Sequence, residues 1–153
     1  MSAVLVSLIA VAGTLLGSFS TYLFQRRTAL HAEAVARNER LRQDRLAACG
    51  TFAAAITEVK RAVITAWFRR DIQDDEWRAA MTEADRLGAA AEGALVRMLL
   101  VIDDDDLQRS ADIVSAQIAV LRASADKAEL EGHEAEFAAA RKAFIGATRR
   151  IVV

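Results

Sequence analysis

Proline is absent from the 153 residues, and the chain holds one cysteine, two histidines and seven glycines. Without proline, nothing along the chain removes a backbone donor and breaks a helix. Cys49 stands alone, so no disulfide framework exists within the chain and a reducing compartment is permitted. An enzyme needs a nucleophile beside a base, a set of metal ligands, or a glycine-rich phosphate cradle. His31 and His133 lie far apart in unrelated patterns, Cys49 falls on an apolar helical face, and no Gly-rich loop occurs. Catalysis, cofactor binding and metal binding are therefore not expected. Aromatic residues make up only 6% of the chain. That scarcity disfavours a sheet core, which draws on aromatic and β-branched side chains.

Alanine fills much of what is there, with 33 residues, and arginine outnumbers lysine 17 to 3. Alanine has the best helix propensity and buries little surface, so the composition points to long, closely packed helices. The formal net charge of −1 conceals an asymmetry. Residues 25–70 hold ten basic and four acidic side chains, whereas residues 71–153 hold ten basic and seventeen acidic. A basic segment following an apolar one suits an anionic lipid surface. The acidic remainder argues against nucleic-acid binding.

From Ala3 to Phe24 run 22 residues without a charge or an amide side chain. As a helix they would reach roughly 33 Å, slightly more than the hydrocarbon core of a bilayer. Residues 1–24 are thus expected to be a transmembrane anchor. A cleaved signal peptide fits poorly, because no basic residue precedes the run and no small-x-small site ends it. Arg26, Arg27, Arg37, Arg40, Arg42 and Arg45 follow it, so the positive-inside rule places the N-terminus outside and the remainder in the cytoplasm. Gly13 and Gly17 form a G-x-x-x-G, extended by Thr21, on which two membrane helices could approach closely. Self-association there and the ordinary abundance of small residues in membrane helices both account for the pattern.

Residues 25–45 are polar nearly all round and read as a helical stalk continuous with the anchor. From Leu46 an apolar stripe begins at three- and four-residue spacing through Cys49, Phe52, Ile56, Val59, Val63 and Ala66. Acidic turns follow at Asp71–Glu76 and Asp103–Asp106, each capping the next helix. The second helix carries a coiled-coil-like seam of Trp77, Met81, Ala84, Gly88, Ala91, Leu95, Met98 and Ile102. The third buries Leu107, Ala111, Val114, Ile118, Leu121 and Ala125. A break near Gly132, within 127–132, leads to a fourth with Phe137, Ala140, Phe144, Ala147 and Ile151 inward. Short connections make neighbouring helices antiparallel. The expected fold is all-α, with the single membrane helix running into an up-down four-helix bundle over 46–153.

Three stretches, GTLLGSFSTYLFQRRTA (13–29), LRQDRLAACGTFA (41–53) and DEWRAA (75–80), resemble the KilB proteins associated with plasmid transfer and spread in Streptomyces. That resemblance implies a membrane protein assisting intramycelial plasmid spread, and transfers no functional residues. The expectation is a single-pass cell-membrane protein contacting lipids, copies of itself and an unidentified protein partner. One alternative is a membrane-active, pore-forming or toxic protein acting through its N-terminal helix. Another is DNA binding through Arg37, Arg40, Arg42 and Arg45, although no aromatics are interleaved there to stack on bases.

Overall fold

The computed structural model describes the backbone of residues 2–72 and 74–152, and the side chains of residues 17, 21, 22, 25, 26, 32–72 and 74–151. Among the described residues there are four helices: α1 (Ser2–Arg69), α2 (Asp74–Val101), α3 (Asp105–Ala123) and α4 (Lys127–Val152). No strand occurs among the described residues. Two compact units divide at Leu41/Arg42.

The first unit, Met1–Leu41, is helical from Ser2, and each of its described side chains is exposed. The expected membrane anchor, 1–24, lies outside the described side chains apart from Gly17, Thr21 and Tyr22. Among the described residues no helix is long and apolar enough to cross a membrane.

The second unit, Arg42–Val153, is a helical bundle around one apolar core. Cross-contacts fix its direction. Phe52 of α1 meets Phe144 of α4, and Lys60 of α1 pairs with Glu134 of α4, so these helices run antiparallel. Arg122 near the end of α3 reaches Asp85 in the first half of α2, as an antiparallel pair requires. Ala62, Thr65 and Arg69 line a groove with Ala79, Ala80 and Glu83, which sets the end of α1 beside the start of α2. α3 and α4 pack against each other. The topology is up-down-up-down.

α1 buries Cys49, Phe52, Ile56, Val59, Val63 and Ala66, the stripe expected from its spacing. α3 buries Leu107, Ala111, Val114, Ile118 and Leu121; Ala125, expected to follow them, is exposed because the helix has already ended at Ala123. α2 departs more. Ala84, Ala91, Met98 and Ile102 are buried, but Trp77 is exposed, Met81, Gly88 and Leu95 are half-buried, and Ala80 and Ala94 are buried in their place. The inward line is rotated toward the alanines, which let α2 lie close to its neighbours. Each fully buried large side chain contributes about 1.5–3 kcal/mol relative to exposure. Among α2's buried residues only Met98 supplies one.

The third turn also differs from expectation. α4 starts at Lys127, and Gly132 lies within it. Asp126 accepts a hydrogen bond from the Glu129 amide at 2.9 Å, while the Glu129 carboxylate accepts from the Ala125 amide at 2.8 Å. The first bond satisfies one free donor of the first turn, the second holds the residue before the cap, and together they fix the helix start. The second turn is as expected, with Asp104 accepting from the Leu107 amide at 2.8 Å.

Candidate functional surfaces

The residues singled out before the bundle core all lie on α1, with Arg42 and Arg45 in the second unit. The Thr21 hydroxyl donates to the Gly17 carbonyl at 2.9 Å, so it is satisfied within its own helix. A Cβ added at Gly17 would meet nothing within 4 Å. Gly13 and Arg27 lie outside the described side chains. Arg26, Arg37, Arg40 and Arg42 are exposed. Arg45 is half-buried, with its Nε unpartnered among the described residues.

A polar cluster lies where the end of α1 meets the α3–α4 turn. Trp67 Nε1 donates to the Ser124 carbonyl at 2.8 Å. Arg70 donates to the same carbonyl at 3.1 Å and to that of Ala125 at 2.7 Å, with its guanidinium 4.1 Å from the Trp67 ring centroid. A cation is favoured there because the last carbonyls of α3 have no helical partner. Sequence reasoning missed this corner, whose only local signal was the aromatic–basic run Trp67-Phe68-Arg69-Arg70.

Ser124 Oγ and His133 Nδ1 lie 2.9 Å apart, a pairing that resembles half of a hydrolase triad. The surroundings oppose that use. Ser124 is only 3% exposed, and the neighbouring Ala125 amide is taken by Glu129. The pair ties the end of α3 to the first turns of α4. Among the described residues no group of three or more metal-type ligands converges.

Cys49 is buried between α1 and α4. Burial pushes its thiol above the ordinary range, and a hydrogen bond with Thr148 opposes this. A protonated, enclosed thiol is a poor nucleophile. A cavity of about 330 Å³ opens between α1, α2 and α3, lined by Phe52, Ile56, Val59, Gly88, Ala91, Glu92, Leu95, Ser115 and Ile118. Glu92 and Ser115 are the only lining residues with polar side chains, a set too sparse to orient a reacting molecule.

No curated protein and no solved structure matches the chain. Residues 46–152 do match a family, and the matched span covers DEWRAA and most of the second resembling stretch but not the first. That family is described as KilB plasmid transfer protein, and the chain belongs to it.

Proposed function

We propose that the chain is a non-enzymatic assembly protein of plasmid transfer. Residues 1–24 hold it in the cell membrane as a single pass, N-terminus outside, and the cytoplasmic bundle presents helical faces to another protein. In this reading it assists conjugative transfer and intramycelial spread of the plasmid. The observation that carries the proposal is the family match over the bundle, a domain whose core is apolar and whose polar side chains serve helix ends and turns. The uncharged run from Ala3 to Phe24, with basic residues only after it, supports the anchor and its direction. Gly13, Gly17 and Thr21 offer a face for self-association within the membrane.

The test is complementation of plasmid spread in a host lacking the gene. The full chain should restore spread and resist carbonate extraction from membranes, whereas a chain lacking residues 1–24 should do neither. Restoration by the truncated chain would refute the anchor. Expression of residues 1–45 alone addresses the pore-forming alternative. Dye leakage from vesicles or lethality caused by that fragment would favour it over assembly through the bundle.

A further inference from the structure

α2 carries a second apolar line on the side facing away from the core. Ala89, Gly93, Val96 and Leu100 follow one another at spacings of four, three and four. Leu100 is 81% exposed and Val96 52% exposed, and Ala89 is exposed as well. A Cβ at Gly93 would meet nothing within 4 Å, so packing inside the chain does not require glycine there, although glycine is disfavoured in mid-helix.

The charges beside this line point to its occupant. Elsewhere on α2, Asp74 and Asp75 pair with Arg78, Glu83 with Arg86, and Asp85 with Arg122, while Glu76 in the first turn makes no ion pair among the described residues. Glu92 and Arg97 are exposed and make no ion pair among the described residues. They are five residues apart on opposite flanks of the apolar line, and cannot meet along one helix, where partners lie three or four apart. When two copies of a helix lie parallel, that separation places the acidic flank of each opposite the basic flank of the other. An antiparallel arrangement would set like flank against like flank.

We propose that α2 forms a parallel, two-fold interface with α2 of a second copy of this chain, seamed by Ala89, Gly93, Val96 and Leu100 and closed on each side by Glu92 against Arg97. Small residues at the first two positions let the backbones approach, and the larger Val96 and Leu100 supply the apolar area. Because the two-fold axis runs along the helices, each residue of the seam faces its own counterpart. The surface is separate from the Gly13/Gly17 face and does not depend on the membrane anchor.

The experiment uses the full chain in mild detergent, with Cys49→Ala to remove the native thiol. Leu100→Cys should then form a disulfide-linked dimer under mild oxidation, since parallel counterparts fall within bridging distance. Ile113→Cys, exposed on α3 and away from the line, should not. Glu92→Arg or Arg97→Glu alone should weaken dimerisation about tenfold, through two symmetric like-charge contacts, and the double exchange should restore it. Cross-linking should persist with Gly13→Leu/Gly17→Leu. Absence of the Leu100→Cys dimer, failure of the double exchange to restore association, or loss of cross-linking with the Gly13/Gly17 change would overturn the proposal. None of these outcomes bears on membrane extraction or plasmid spread, which test the anchor and the transfer role separately.

Discussion

Phe144→Ala removes the ring that joins α4 to α1. Phe52 and Phe144 are each 1% exposed, and their rings meet edge to face with centroids 5.2 Å apart and planes at 70°. Truncating a buried phenylalanine costs about 3–5 kcal/mol in lost transfer energy and residual cavity. A groove lined by Leu46, Cys49, Gly50, Ala53 and Ile145 adjoins the ring, so water and side-chain shifts reach part of the vacated space. The expected loss is therefore near the lower figure, about 3 kcal/mol. That is a large share of the roughly 5–15 kcal/mol that holds a domain folded. A double-mutant cycle with Phe52→Leu and Phe144→Leu separates the edge-to-face contact, about 0.5–1.5 kcal/mol, from general burial. Urea unfolding of the full chain in mild detergent, followed by tryptophan fluorescence, reads both, because Trp67 leaves its hydrogen bond to the Ser124 carbonyl when the bundle opens. A Phe144→Ala loss below about 1 kcal/mol at unchanged denaturant slope, or a coupling energy of zero, would refute this account of the core.

Asp104→Ala should lower stability by about 1 kcal/mol in the same urea experiment, because the Leu107 amide loses its cap; no change would contradict the capping role. Gly132→Ala should raise the urea midpoint by up to about 1 kcal/mol of stability, since Gly132 lies inside α4 with open space around its Cα. Destabilisation there would return the turn to Gly132. Cys49 should resist a thiol reagent at pH 8 until urea unfolds the bundle. Burial raises its pKa, so the folded thiol keeps its proton at pH values where the unfolded thiol releases it. Stability should therefore decline as pH rises past the unfolded value of about 8.5, and Cys49→Ala should flatten that decline. Rapid labelling of the native chain would contradict the buried thiol.

The helical architecture was legible because large apolar residues recur on single faces. Val59, Val63, Val114 and Leu121 could be read inward from spacing alone, and they are buried. α2 was harder to read because alanine carries little directional signal. A pattern weighted toward Trp77 and Met81 turned the inward line too far, whereas Ala80 and Ala94 face the core. The start of α4 was misplaced because Gly132 outweighed the Asp126-x-x-Glu129 capping pattern, which was present in the sequence. Contacts across long separations had no local trace. Nothing near Ser124 announces that Trp67 and Arg70 would use its carbonyl, more than fifty residues away along the chain. The lone Glu92 and Arg97 became informative only once the structure had paired their neighbours on α2.

The small side chains by which α2 meets the core set a hierarchy of local opening. At its fully buried positions α2 brings the methyl groups of Ala80, Ala84, Ala91 and Ala94 and one large side chain, Met98, while Leu87, Leu95 and Leu99 pack partly buried against the same core. Apolar area lost on detaching a segment sets the free energy of its partial unfolding, and the weakest segments open first. α2 thus has fewer large side chains fully buried than α1, α3 or α4, and is the helix expected to open first. Amide hydrogen exchange should then show α2 opening at lower free energy than the other three helices. A contact made along the outer line of α2 would slow that opening throughout the helix, and so carry its effect through to the core.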